Sequence, residues 1–199
     1  MVNDLVGRRS DHSRAELEAL ILQEGHALMA AVGFARFSAR EVAKRVGYSI
    51  GTIYNVFGSY DRLVLAINTR TFTLWAQHLR SRLASAGEDR IAALVAGYFG
   101  FAREHPHLWM AIYDHRLPPG MAMPAADEAT RAELTAIVAD EIARALGEER
   151  AGVAALTRSL VACVHGHCHF ALTGAFDLMG ETDPEGAALA RVREALAAA

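Results

Sequence analysis

Residues 38–63, SAREVAKRVGYSIGTIYNVFGSYDRL, restrict the fold of this chain more than any other stretch. Ser38 opens a Ser-x-x-Glu capping box with Glu41, in which the hydroxyl takes up an orphan amide and the carboxylate reaches back to the cap. A helix therefore starts there. Val42, Ala43 and Val46 fall on one face, and Gly47 ends the run where a residue tolerant of positive φ is needed. Ser49 then caps a second short helix whose inward pair is Ile53 and Phe57, four residues apart. Its other face carries Ile50, Gly51, Thr52, Tyr54 and Asn55. Such a face suits DNA. Thr and Asn reach base edges, a Tyr hydroxyl reaches a phosphate oxygen, and Gly51 lets the backbone approach the duplex. The competing reading of the same pattern is a helical hairpin that only packs a core.

The wording GYSIGTIYNVFGSYDRL, with the preceding LMAAVGFARFSAREVAKRVG, resembles the helix-turn-helix of the tetracycline-repressor (TetR) family of bacterial regulators. The likeness covers roughly residues 13–65. Turn Gly47, Ser49, Gly51, Thr52, Tyr54 and Phe57 all stand at the family's spacing. Ile50 and Tyr60 stand where many members carry a Lys near the DNA backbone, so the phosphate grip leans on other cations. The resemblance implies a first helix completing a three-helix head, a larger ligand-binding body, and a homodimer paired through its last two long helices. It also implies repression of a palindromic operator, released by a small effector. Besides the second helix, the DNA-binding expectation takes in Ser38, Arg40, Lys44, Ser49 and Tyr60, with Arg8 and Arg9 on an N-terminal arm that meets phosphate or a minor groove.

An all-α chain of about nine helices is expected. Five prolines, at 106, 118, 119, 124 and 184, leave long stretches rich in Ala, Leu, Glu and Arg. Ser13 opens another capping box with Glu16, and Leu17, Leu20, Ile21, Leu28 and Met29 stripe a first helix ending near Gly33. Ser59 caps a connector from Tyr60 to about Ser85, and Asp89 to Glu104 gives another helix, stopped by Pro106. HLWMAIYDHRL follows as a short segment, and LPPGMAMP reads as the clearest loop, either a flap or a plain connector. Further helices run over 126–146, 150–173 and 184–198. Two domains are expected, a head over 1–58 and a body over 59–199, with 59–85 as connector.

Hydrophobic residues make up 52% of the chain, enough for a sizeable core. There is no apolar run of eighteen residues and no leader-like start, so neither a membrane span nor a secretory signal is expected, and the cytoplasm is the expected compartment. Cys163 and Cys168 lie five apart on one helix, which argues against a mutual disulfide. Net charge is −3; residues 1–65 hold eight basic and seven acidic side chains against twelve and sixteen in the remainder. The asymmetry has the sign a DNA-binding head requires, +1 against −4.

An effector chamber is expected to draw on an aromatic set with a few polar atoms. Trp75, Tyr98 and Phe101 come from the connector and the next helix, Trp109, Tyr113 and His115 from the short segment, and His165, His169 and Phe170 from the penultimate long helix. Core packing accounts for the same residues equally well. The set carries few charges, so the expected effector is small and neutral or weakly polar. CVHGHCHFALTG also resembles, more loosely, a TetR-type ligand domain with a His-Gly pair, here His165-Gly166, although Val164 replaces the Trp that precedes it in many members. The alternative function is a metal-binding enzyme or sensor built on Cys163, His165 and His169. One helix cannot aim Cys163, His165, His167, Cys168 and His169 at one ion, and no second ligand motif completes a pair. No metal or other cofactor is expected, and no nucleophile, base and oxyanion set is recognisable, so catalysis is not expected.

Overall fold

The computed structural model describes residues 12–147 and 152–199. Among the described residues there are ten α-helices, one short 3-10 turn and no strand, which is the all-α architecture expected. The helices are α1 (Arg14–Val32), α2 (Ala39–Val46), α3 (Ile50–Phe57), α4 (Tyr60–Ala84), α5 (Arg90–Glu104), α6 (Pro106–Asp114), α7 (Ala125–Leu146), α8 (Val153–Thr173), α9 (Ala175–Met179) and α10 (Pro184–Ala197). Arg8 and Arg9 lie outside the described residues. The helix missing from the sequence count is α9, five residues between left-handed Gly174 and Gly180, too short to show a period.

Side-chain caps set the starts of α1 to α5 and of α10. At Ser13 the box is complete, with the hydroxyl accepting from the Glu16 amide and the Glu16 carboxylate accepting from the Ser13 amide. At Ser38 only one arm forms: the hydroxyl accepts from the Glu41 amide at 3.4 Å, while the Glu41 carboxylate turns to Arg45 Nε, also at 3.4 Å. A charged partner one turn along the same helix competes with the cap amide and wins. Ser49 and Ser59 each accept from the amide three residues on. Gly47 closes α2 at φ 76°, and its amide donates to Ala43 and Lys44. A side chain there would carry the left-handed penalty of about 1–2 kcal/mol.

Two apolar clusters organise the fold. The first joins Ile21 and Met29 of α1, Val42 of α2, Ile53 of α3 and Leu63 and Ile67 of α4. The second joins Trp75 and Leu79 of α4 with Phe99 and Phe101 of α5, Ile142 of α7 and Leu160 of α8. Helix α4 enters both, as a connector must. So does α6, which puts Leu108 and Ala111 into the first cluster and Trp109 into the second. Close approach fixes α1 against α4, where a Cβ on Gly25 would lie 2.9 Å from Ile67 Cδ1. Pro106 does stop α5, but it also occupies the first turn of α6, where a missing amide costs nothing. No helix among the described residues is long and apolar enough to cross a membrane.

Candidate functional site

The first candidate surface is the outer face of α3. Ile53 is fully buried and holds the helix against the head core, with Val56 and Phe57 half-buried on either side of it. Helical geometry then turns Gly51, Tyr54 and Asn55 to solvent, Tyr54 being 39% exposed. Thr52 is half-buried, and its hydroxyl lies 3.0 Å from that of Ser49. The cap thus orients the side chain expected to read bases. Ser38, Arg40, Ile50, Tyr54 and Tyr60 come together around one open groove between α2, α3 and the start of α4, with Phe37 and Ala39 as its floor. Lys44 is exposed on α2. Burial, then Asp61 and Tyr54, holds the Tyr60 hydroxyl above its ordinary pKa, so it remains a protonated donor.

Arg14 belongs to this surface and was not among the sequence candidates. Its guanidinium donates to the carbonyls of Asn55 and Val56 at 3.5 and 3.4 Å, placing positive charge at the C-terminal end of α3. Forty-one residues separate Arg14 from Asn55, so no local pattern could have signalled the contact.

The second candidate site lies inside the body. Tyr98 is its hub: the hydroxyl is 3.1 Å from His165 Nδ1 and 3.4 Å from the Tyr113 hydroxyl. The His165 ring stacks on Trp109 at 4.8 Å and lies 4.1 Å from Tyr113. Burial, and secondarily His169, pushes the His165 pKa down, so the imidazole is neutral near pH 7. Burial raises Tyr98, and loss of water around the hydroxyl raises Tyr113, although Tyr113 as a whole is 42% exposed; both stay protonated. Trp75 stacks on Phe101 at 5.2 Å and meets Tyr98 edge-on at 4.8 Å.

Two small cavities open beside this cluster. One, of about 100 Å³, has Trp75, Tyr98, Tyr113 and Thr135 in its wall. The other, of about 40 Å³, is walled by aliphatic residues and Tyr98. They share Leu79, Tyr98, Val138 and Val161, and no charged side chain lines either one. The aliphatic wall, Val138 of α7 with Leu160, Val161 and Val164 of α8, was not anticipated. In a sequence such residues cannot be told from ordinary core.

Three of the nine aromatic candidates, Trp75, Tyr98 and Tyr113, line a cavity. Phe101, Trp109 and His165 pack directly behind them. His169 stands next to His165, with ring centroids 5.9 Å apart. Phe170 is 42% exposed and packs edge-on against Phe176 of α9. His115 is elsewhere: its side chain is buried at the junction of head and body, Nε2 donating to Asp61 Oδ1 at 3.2 Å, with the ring beside Phe34.

The cysteine and histidine residues of α8 do not converge on one point. His167 Nδ1 donates to the Cys163 carbonyl at 2.9 Å and lies 3.9 Å from its sulfur. Cys168 is fully buried, and burial pushes its thiol up to about 12. Among the described residues no three His, Cys, Asp or Glu side chains gather where they could hold a metal ion.

Comparison with known proteins adds the following. Residues 91–196 match the family model described as "Tetracyclin repressor-like, C-terminal domain", and residues 21–67 match that of "Bacterial regulatory proteins, tetR family". HTH-type transcriptional regulators of Mycobacterium bovis and Mycobacterium tuberculosis are 27% identical over 123 residues, 60% of this chain. The matched part spans about half, 52%, of the length of those curated relatives. Among solved structures, a protein of unknown function from Rhodococcus sp. RHA1 superposes with a TM-score of 0.73 at 19% identity, over 96% of this chain and 98% of that one. The TetR-family regulator PfmR from Thermus thermophilus gives 0.56 at 16% identity, over 88% and 96%. These likenesses are of fold.

Proposed function

We propose, from the premise that this chain belongs to the TetR family of bacterial regulatory proteins, that it is a transcriptional regulator which binds operator DNA as a homodimer and lets go when a small neutral molecule enters its body. The single observation that carries this reading is α3 itself, pinned by Ile53 with Tyr54 and Asn55 turned outward beside the Arg40 and Tyr60 groove. In this reading Asn55 and Thr52 read base edges, and Tyr54, Tyr60, Ser38 and Ser49 donate to phosphate oxygens. Gly51 and Ile50 face the duplex at close range, and Arg40, Lys44 and Arg14 supply the charge.

One eight-residue helix reads few bases. Two heads related by a two-fold read a palindrome with half-sites about 34 Å apart or a multiple of that. Helices α8 and α10 pack on each other, and the exposed Ala154, Ala155 and Ala162 of α8 make a small-residue face that a second copy would cover. The effector reading is supported by the uncharged cavities around Tyr98, and the coupling by α6, which carries Trp109 and Tyr113 beside the cavities and Leu108, Ala111 and His115 at the head. Such coupling amounts to about 1–3 kcal/mol, a several-fold to hundredfold change in operator affinity. A regulator bound to bacterial operator DNA acts in the cytoplasm.

Selection of bound sequences from a random DNA pool tests the reading. An enriched palindrome retarded by the wild type supports it. Loss of the sequence preference on Asn55→Ala or Thr52→Ala assigns the readers. A pool that returns no consensus would sink the proposal.

A further inference from the structure

Resting on the reading of α3 as the helix that meets DNA, we propose that His12 and Arg14, at the start of α1, are positioning residues that bracket α3 from both ends and set the angle at which it enters the groove. Sequence preference then depends on side chains that read no base. At the C-terminal end of α3 the Gly58 amide donates to the Tyr54 carbonyl at 2.7 Å. The next two carbonyls, of Asn55 and Val56, lie in the last turn, where the helix has no amide left to meet them. Arg14 Nη2 donates to both, at 3.5 and 3.4 Å, and its charge sits at the negative end of the helix dipole. At the other end His12 Nδ1 lies 3.0 Å from the Tyr48 hydroxyl, and Tyr48 immediately precedes Ser49, the N-cap of α3.

The rest of the head holds α3 more loosely than its role requires. Of its eight residues Ile53 alone is fully buried. A single apolar anchor keeps a short helix on the core while leaving it free to roll about that point. Thr52 and Asn55 flank the anchor, and a roll of about 10° moves a side-chain tip some 6 Å from the helix axis by roughly 1 Å. That displacement is enough to lengthen a base-edge hydrogen bond beyond its useful range. The bracket can resist such a roll because its own base is fixed. Ser13, between the two arms, caps α1 in a complete box with Glu16, and the bonds from Ser13 hold the Glu16 carboxyl below its ordinary pKa. Behind that turn α1 is seated on α4 at Gly25 and Ile67. Lysine at position 14 would keep the charge but end one bond short of Nη2, and the contacts already stand at 3.4 and 3.5 Å.

Gel-shift titrations of the full chain on its selected palindrome and on a scrambled duplex, at several salt concentrations, test the bracket. Arg14→Lys and Tyr48→Phe are each expected to weaken binding to the palindrome about fivefold to tenfold. Affinity for the scrambled duplex and the salt slope should stay as in the wild type, because no phosphate contact is lost. His12→Gln combined with Tyr48→Phe should lose no more than either change alone, since the two side chains share one contact. Repeating the selection with Arg14→Lys should return a consensus blurred at the positions that Asn55 and Thr52 read. Wild-type discrimination by Arg14→Lys would overturn the proposal, because charge alone would then suffice. Equal losses on both duplexes would overturn it as well, by making Arg14 and Tyr48 general contacts or supports of the fold. If the wild type selects no DNA, the recognition reading and the bracket fall together; if it selects DNA and the variants discriminate as it does, the bracket alone falls.

Discussion

Ile53 and Tyr54 are neighbours with opposite fates, and α3 depends on the difference. The first is fully buried; the second is 39% exposed. Tyr54→Phe removes one hydroxyl from an outward face without touching the core, so it should weaken binding to every DNA sequence alike by about 0.5–1.5 kcal/mol. Gel-shift titrations on selected and scrambled duplexes check this; a change confined to one sequence would reassign Tyr54 to base reading. Arg40→Ala should instead reduce the slope of log affinity against log salt by about 0.9. Gly47→Ala places a Cβ at φ 76° and should cost about 1–2 kcal/mol in chemical denaturation. His26 Nε2 donates to the Thr71 hydroxyl between α1 and α4, and burial, then Arg70 and His105, lowers its pKa to about 4 from an ordinary 6.5. Between those values the unfolded chain binds the proton and the folded one does not, so stability rises with pH through that window and this contribution is fully lost below about 4. Urea midpoints measured from pH 4 to 7 should flatten in His26→Gln.

Helix α6 is the element through which the proposed coupling would run. HLWMAIYDHRL has no clean period in the sequence because the helix is buried on two faces, Leu108 and Ala111 toward the head and Trp109 toward the body. His107 donates to the Ala30 carbonyl at 2.9 Å and Asn68 donates to the Ala111 carbonyl at 3.1 Å, so the helix is bonded to both α1 and α4. Its C-cap residue His115 holds Asp61 in the first turn of α4. A ligand that shifted Trp109 or Tyr113 would therefore act on the start of the connector. His115→Ala should leave DNA affinity without effector within about threefold while shrinking the effector-induced loss by about 1 kcal/mol, the lower end of usual coupling energies. Gel shifts with and without a small uncharged ligand found by thermal-shift screening measure both quantities. An unchanged response would show that α4 receives its signal elsewhere.

The whole molecule adds symmetry and spacing to what each head can do. If two copies pair through α8 and α10, charges on those helices' outer faces should abolish dimerisation and weaken operator binding far more than binding to one half-site. Light scattering and half-site gel shifts on Ala187→Glu test this, position 187 being half-buried in the single chain and near the start of α10. Inserting five base pairs between half-sites should also abolish tight binding, since it rotates one half-site by about half a turn. A dimer that tolerates both changes would pair through another surface, and the strongly exposed Leu178 and Met179 of α9 mark the alternative.

Local chemistry was enough to determine where the helices begin and end. Ser13, Ser49 and Ser59 cap, Gly33, Gly47, Gly147 and Gly174 close, and Pro184 opens a first turn. Each acts through bonds and dihedrals within four residues of itself, which is why the outward face of α3 was legible with them. Only tertiary packing decided that Arg14 reaches across to α3, that His115 bonds Asp61 at the junction rather than lining the chamber, and that core valines of α7 and α8 also wall a cavity. Those outcomes depend on contacts between residues tens of positions apart, and a side chain's type does not record which distant surface it will meet.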